Sequence, residues 1–116
     1  MDISALGHCK QLEVLDLSGT TSISTLNIYD NASLEDLDLY SVTSLSTMNI
    51  YDNASLQSVD CTSLPTVGTF NLYSNSDLNT FLAPDLACAT SGYDLRDNDF
   101  PEDDRYDLIV KLSDCE

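Results

Sequence analysis

Residues 23–34 read ISTLNIYDNASL and residues 45–56 read LSTMNIYDNASL, so ten of the twelve letters agree at a separation of 22 residues. A third copy, VGTFNLYSNSDL, occupies residues 67–78. The segments between the copies, residues 34–45 and 56–67, read LEDLDLYSVTSL and LQSVDCTSLPTV. They keep the apolar spacing but carry other polar residues. Self-similarity at a fixed period of this size predicts a stack of structural repeats.

The apolar frame has a finer period of eleven residues, in the form L-x-x-L-x-L plus five residues. The three apolar columns are Leu12, Ile23, Leu34, Leu45, Leu56, Val67 and Leu78; Leu15, Leu26, Leu37, Met48, Val59, Phe70 and Phe81; and Leu17, Ile28, Leu39, Ile50, Cys61, Leu72 and Ala83. L-x-L alternation predicts short strands with every second side chain inward. A single turn cannot bury that face, whereas stacked turns share one core. Two strands per 22 residues therefore predict parallel sheets on two faces of a flattened solenoid.

The string L-x-x-L-x-L-x-x-N resembles the leucine-rich-repeat family, and it ends three times in asparagine, at Asn31, Asn53 and Asn75. Cys9 stands 22 residues before Asn31, and the family accepts Cys or Asn there. Phrases such as LEVLDLSGTTS and LNIYDNASL are most similar to the 22-residue extracellular repeats of bacterial surface proteins, including internalin-like ones. The resemblance implies a right-handed solenoid of the α/β horseshoe class, here dominated by strands. One departure is that both halves of each turn carry L-x-L, whereas the family usually has a strand on one side only.

The repeats occupy residues 12–100 of a single domain, residues 1–116. Residues 1–11 are expected to form an N-terminal partial repeat or a cap. The spacing of three between Ile3, Leu6 and Cys9 suggests a short helical turn or a partial repeat. Residues 101–116 are expected to form a C-terminal capping helix, from about Glu102 to Asp114. Three acidic residues open it, where the helix dipole favours negative charge. On this helix Tyr106, Ile109, Val110 and Ser113 share a face, with Leu108 and Leu112 beside it.

The composition restricts the possible partners. The 116 residues include 20 acidic and 4 basic side chains, a net charge of −16. A nucleic-acid partner is not expected, because phosphate binding needs clustered Lys and Arg. Leu, Ile, Val and Phe make up 31 residues, more than the ~20% below which a charged chain usually stays disordered. A folded, acidic and monomeric protein is expected, and it has no apolar run long enough for membrane insertion.

Stacking at 22 residues turns outward positions into columns. The columns on the first face are Thr25, Thr47 and Thr69; Asn27, Asn49 and Asn71; and Tyr29, Tyr51 and Tyr73. Tyrosine is enriched in binding surfaces, so this face is the candidate for binding a protein partner or a glycan. A purely structural role stays open, since like side chains also pack well across a sheet. The inward rung of Cys9, Asn31, Asn53, Asn75 and Asn98 is interpreted as structural, because buried amides must be hydrogen-bonded.

The second face carries a column of carboxylates at Asp16, Asp38 and Asp60. A bridging Ca²⁺ ion is the weaker alternative here, since hard cations take several oxygen ligands. Leu82 ends the column and no glycine-containing ligand loop accompanies it. The prediction is therefore that no metal and no other cofactor is bound.

Catalytic and redox signatures are sparse. His8 is the only histidine in the sequence, and the scattered glycines form no phosphate-binding loop. The protein is therefore not expected to be an enzyme. The four cysteines lack zinc-site spacing. Cys61 replaces an inward leucine and is expected to be a buried thiol, and pairing of Cys88 with Cys115 near the helix stays open.

The family resemblance implies a non-enzymatic protein-interaction scaffold on a secreted or surface-attached bacterial protein. No signal-peptide pattern follows Met1. Two alternatives remain at this point: a carbohydrate-binding surface built on the Tyr and Asn columns, and a structural spacer within a larger extracellular protein.

Overall fold

The structure is a computed structural model that describes residues 3–113. In chain order its elements are β1 (Ile3–Gly7), β2 (Val14–Asp16), β3 (Ser22–Tyr29), β4 (Asp36–Asp38), β5 (Ser44–Tyr51), β6 (Ser58–Asp60), β7 (Thr66–Tyr73), β8 (Thr80–Leu82), β9 (Cys88–Asp94) and α1 (Glu102–Ser113). Odd-numbered strands form a five-stranded sheet and even-numbered strands form a four-stranded sheet. All pairings are parallel. The predicted parallel-strand solenoid with sheets on two faces is confirmed.

The pairing register reproduces the 22-residue period. Leu26 lies opposite Met48, and Met48 lies opposite Phe70 in the five-stranded sheet. In the four-stranded sheet Leu37 lies opposite Val59. All five side chains are buried. Equivalent apolar residues of successive turns therefore stack on one another, and the core runs the length of the solenoid between the two sheets.

Hydrogen-bonded turns join the two sheets at both edges. After β1, β3, β5 and β7 the chain turns through an inward residue whose carbonyl accepts from the amide three residues later, as in Asn53 C=O with Leu56 N–H at 3.2 Å. After each short strand the same bond recurs, as in Leu39 C=O with Val42 N–H at 3.0 Å. Because each turn starts and ends on an inward side chain, it adds buried contacts and leaves its polar residues outside.

Both ends of the chain depart from the regular repeat. The segment at residues 3–7 forms β1 and pairs with β3 as a partial repeat. The short helical turn that the spacing also suggested there is wrong, because these residues extend the five-stranded sheet. At the other end the register shifts by one residue between β7 and β9. The helix begins at Glu102 as predicted, and its last predicted residue, Asp114, lies outside the described range.

The face of α1 that packs differs from the most apolar face in the sequence. Leu108 and Leu112 are buried, whereas Tyr106 is 67% and Val110 is 50% exposed. The helix lies against β9, and only a narrow stripe of it meets the end of the core. That stripe is the side holding the two leucines.

Candidate functional site

The three tyrosines of the long strands stack into one column, the tyrosine ladder (Tyr29, Tyr51 and Tyr73). Tyr29 pairs in register with Tyr51, and Tyr51 with Tyr73. The ring centroids are 5.4 and 5.2 Å apart, and the ring planes diverge by 10° and 6°. The spacing follows from the strand separation of about 4.8 Å. Because the rings stack on each other, their faces are occupied and their edges with the hydroxyl groups are presented outward.

Other residues close both ends of the ladder. Gly7 pairs with Tyr29, and a Cβ atom on Gly7 would lie 2.4 Å from the Tyr29 ring, so only glycine lets that ring lie over the strand. His8 meets the same ring edge-on at 5.5 Å. At the far end, the guanidinium carbon of Arg96 lies 5.4 Å from the Tyr73 centroid, within cation–π range. No face of a ladder ring is therefore left fully open.

Acidic residues follow the ladder at the corner of the solenoid. Asp30 and Asp52 come directly after Tyr29 and Tyr51, and both carboxylate residues are exposed. They have positive φ values of 58° and 57°, a left-handed conformation that Asp and Asn tolerate better than most side chains. The same corner conformation recurs at His8, Ser74 and Asp97. The result is a row of hydroxyls with a row of carboxylates beside it.

Electrostatics link the two rows. Partial desolvation raises the pKa of Tyr51 above its ordinary value of 10.0, and the neighbouring charges of Tyr73, Tyr29, Asp52 and Asp30 act in the same direction. At the ladder ends, His8 Nδ1 lies 3.1 Å from an Asp30 oxygen, and Arg96 Nε lies 3.0 Å from an Asp94 oxygen. His8, Asp30 and Arg96 are exposed and Asp94 is half-buried, so each pair is worth at most about 1 kcal/mol. Tyr51 therefore stays a neutral hydrogen-bonding group through the physiological pH range.

The other predicted columns flank the ladder on the same sheet. Asn27, Asn49 and Asn71 align in register, as do Thr25, Thr47 and Thr69. Asn71 Nδ2 donates to Asn49 Oδ1 at 2.8 Å. All six side chains are half-buried. Together with the ladder they form a regular surface, the tyrosine face, which contains all nine residues singled out from the sequence.

The inward Asn rung is a continuous hydrogen-bonded ladder. Asn53 Oδ1 accepts from the backbone N–H of Asn31 at 3.1 Å, and Asn75 Oδ1 does the same for Asn53. The Asn53 amide donates to the carbonyl of Ile28 at 3.2 Å. Cys9 and Asn98 extend the rung at its two ends. Asn31, Asn53 and Asn75 are fully buried, so they act within the scaffold and present nothing to a partner.

The carboxylate column of the second face is turned towards its own backbone. Asp16 accepts from the N–H of Ser18, Asp38 from Tyr40 and Asp60 from Thr62, at 2.9–3.0 Å. The hydrogen bonds from Ser18 lower the pKa of Asp16. Within residues 3–113 no three His, Cys, Asp or Glu side chains are grouped so as to hold a metal ion. The geometry explains these aspartates as turn formers.

The cysteines differ in environment. Cys61 is a buried free thiol, and burial raises its pKa far above the ordinary value. Cys9 is a free thiol that is half-buried. Cys88 is disulfide-bonded, and Cys115, with which the sequence left its pairing open, lies outside the described range.

A groove that the repeat pattern did not predict lies at the C-terminal end of the four-stranded sheet. This C-terminal groove has a volume of about 270 Å³. Its walls are β8, Phe100 and the helix α1, and the lining includes Phe81, Leu82, Asp104, Asp107 and Leu108. The groove forms only because the register shift and the helix bring residues 100–111 beside β8. The repeat pattern does not predict which segment after the repeats lies beside β8.

Fold and site together define a repeat protein of the parallel β-solenoid class. No protein-family model matches the chain, and no curated protein or solved structure is significantly similar to it. No helix in the described residues is long and apolar enough to cross a membrane.

Proposed function

We propose that this chain is a non-enzymatic protein-interaction scaffold whose tyrosine face binds a neutral or basic protein. The observation that supports the proposal is the tyrosine ladder, stacked at 5.2–5.4 Å with exposed Asp30 and Asp52 beside it. Tyrosine offers a large rigid contact area at low entropic cost. The ladder is already ordered by ring stacking, so a partner would not have to immobilise these side chains.

Charge complementarity narrows the partner. Two carboxylates adjoin the ladder and the whole chain carries a net charge of −16. Potentials across protein interfaces are arranged to be complementary, and like charges suppress wrong partners. A partner with Lys or Arg side chains near its contact surface therefore fits this face, and an acidic one does not.

The ladder geometry favours a protein over a glycan. A sugar ring packs best on an open aromatic face, whereas the faces of Tyr51 are covered by Tyr29 and Tyr73. The edge hydroxyls and the Asn amides that remain are hydrogen-bonding groups. They suit the polar, aromatic-rich contacts that are common in protein interfaces.

The test uses the variant Tyr29→Phe/Tyr51→Phe/Tyr73→Phe, which keeps the stacked rings and removes only the hydroxyls. Proteins captured by the immobilised chain are purified, and their affinity is measured by titration calorimetry. We expect the triple variant to bind at least about tenfold more weakly, because each lost hydrogen bond costs about 0.5–1.5 kcal/mol. Unchanged melting would show that the solenoid is intact.

The matched control is Tyr40→Phe/Tyr106→Phe, since both tyrosines are exposed and lie outside the tyrosine face. We expect this control to bind like the original chain. If capture is the same for all three proteins, the face is not the binding surface. Ladder-dependent binding on a glycan array would instead favour the carbohydrate alternative, and no binding in either assay would favour a structural spacer.

We further propose that the chain is a leucine-rich repeat of a secreted or surface-attached bacterial protein. The supporting feature is the L-x-x-L-x-L-x-x-N string, whose asparagines form the buried rung. The short strands on the second side are the departure from the family pattern. Antibody labelling of intact cells of the source organism tests the location, and labelling only after permeabilisation would contradict it.

A further inference from the structure

The last short strand, β8, has an open edge. In the other short strands the residue after the strand donates its amide to the next turn: Leu17 to Asp38, Leu39 to Asp60 and Cys61 to Leu82, at 2.7–2.8 Å. Ala83 is the fourth member of this series, and β8 is the terminal strand of its sheet within residues 3–113. Within these residues no further strand follows to accept from the Ala83 N–H.

The ladder geometry identifies which other groups face outward. Thr80 N–H donates to Gln57 C=O at 3.2 Å, and Leu82 C=O accepts from Cys61 N–H at 2.7 Å. Alternate residues of a parallel ladder bond to opposite neighbours. The N–H and C=O of Phe81 therefore point away from β6, into the C-terminal groove. An unpaired edge of this kind is a template for a further strand.

The place of the next strand beside β8 is not taken by the helix. A neighbouring strand lies about 4.8 Å away, and within the described range no Cα atom of α1 comes within 8 Å of a Cα atom of β8. The volume of about 270 Å³ lies just below the about 300–1,000 Å³ of pockets for drug-sized ligands. It suits the side chains of a segment lying along the edge. Phe100 and Leu108 line it with apolar surface, and Leu82 on its rim is 51% exposed.

The charge of the groove indicates which kind of peptide it would bind. Asp104 and Asp107 lie on the helix wall, in the first turns of α1. Among the described residues that line the groove Lys111 is the one basic residue, and its Nζ donates to Ala83 C=O at 3.1 Å. The same carbonyl accepts from the Leu86 N–H at 3.2 Å. With two carboxylates and one ammonium in its lining, the groove keeps a net negative charge. A basic segment is therefore favoured over an acidic one.

We propose that the C-terminal groove is a second binding site, which takes an extended basic peptide as an additional strand on β8. Main-chain hydrogen bonds to Phe81 and Ala83 provide affinity, and alternate side chains provide specificity, as in other cases of strand addition. An apolar side chain of the peptide continues the inward column beyond Phe81, while its Lys or Arg residues face Asp104 and Asp107. The site is separate from the tyrosine face and does not depend on its function.

The probe is the dye-labelled peptide Lys-Val-Lys-Val-Lys with blocked ends, and affinity is read by fluorescence anisotropy. We expect saturable binding, and loss of at least tenfold in affinity when every internal residue of the peptide is N-methylated, because its backbone donors are then removed. Amide exchange followed by NMR should slow at Phe81 and Ala83 on binding. Equal binding of the N-methylated peptide, or slowed exchange elsewhere only, would overturn the proposal.

The protein variant is Asp104→Asn/Asp107→Asn, with Glu102→Gln/Asp103→Asn as the matched control. Both remove two charges from the start of the same helix, but only the first pair lines the groove. Two exposed charge contacts correspond to about a three- to tenfold loss of affinity, which we expect for the groove variant alone. If both variants lose the same affinity for the peptide, the loss is an effect of net charge and the proposed site is wrong. If the chain self-associates and the peptide does not displace the second copy, the groove binds another copy of this chain, and the proposal is also wrong.

Discussion

At the residue scale, the inward asparagines show how a polar side chain is accommodated in a core. Asn53 is fully buried, which is costly for an amide without partners. Its carbonyl oxygen accepts from Asn31 and its amide donates to three acceptors. Since the same bonds recur every 22 residues, each turn stabilises the corner of the next. The rung is a property of the stack, because one turn alone could not form it.

We predict that Asn53→Ala lowers the free energy of unfolding by about 2–5 kcal/mol. The change leaves the buried N–H of Asn31 and the C=O of Ile28 without their partner, at about 1–3 kcal/mol each. Asn49→Ala, in the same turn but facing outward, should cost about 0.5–1.5 kcal/mol, since one side-chain hydrogen bond is lost. Urea denaturation measures both values, and equal losses would contradict the structural role of the rung.

A second residue-scale prediction concerns Tyr51 at alkaline pH. Its folded-state pKa is raised above 10.0, so the neutral phenol is favoured in the folded protein. The linked contribution to stability is fully present below pH 10.0 and is lost as the pH rises through the folded pKa. Tyr51→Phe should show a weaker decline in melting temperature above that pH than the original chain, and Tyr40→Phe should not. If the original chain, Tyr51→Phe and Tyr40→Phe all show the same decline, ionisation of Tyr51 is not linked to the stability of the fold.

At the element scale, each short strand contributes very few residues to a shared core. β4 spans only Asp36–Asp38, and of its three side chains Leu37 alone is buried. A three-residue strand is stable here because β2 and β6 pair with it on both edges and the long strands cover its inner side. A charged side chain should therefore unfold the domain at an inward position of such a strand and be tolerated at an outward position.

We predict that Leu37→Asp unfolds the domain. An unpaired carboxylate in the stacked core costs several kcal/mol, a large part of the about 5–15 kcal/mol that stabilises a domain. Val14→Asp is the control, because Val14 lies outward in β2 and is 56% exposed. Circular dichroism melting should show a folded control and an unfolded Leu37 variant. If the Leu37 variant melts like the original chain, the inward column is assigned incorrectly.

At the scale of the whole molecule, the acidic residues are distributed over the outer surface of the solenoid. The body measures 41 × 32 × 19 Å, and the carboxylates lie on the outside of both sheets, at the corners and along α1. A solenoid has unpaired strands at its ends, which invite end-to-end association. A net charge of −16 opposes association between copies.

We predict that Ca²⁺ leaves the melting temperature almost unchanged. Asp16, Asp38 and Asp60 accept hydrogen bonds within their own turns, and those bonds would compete with a bridging ion. Mg²⁺ at the same ionic strength corrects for screening of the surface charge. A rise of many degrees specific to Ca²⁺ would indicate a bound ion, since a ligand stabilises the state that binds it.

The amino-acid sequence by itself determined the parallel solenoid, its two sheets, the three inward columns and the alignment of the tyrosine face. The physical reason is periodicity: when each turn must cover the apolar face of the next, residues 22 apart are forced into contact. Only the tertiary structure decided the position of the Tyr29 ring over Gly7, the packing of α1 through Leu108 and Leu112, and the open edge of β8. These features arise at the ends of the stack, where no repeat continues. At these ends the local structure depends on which non-repeating segments, distant in sequence, pack against each other.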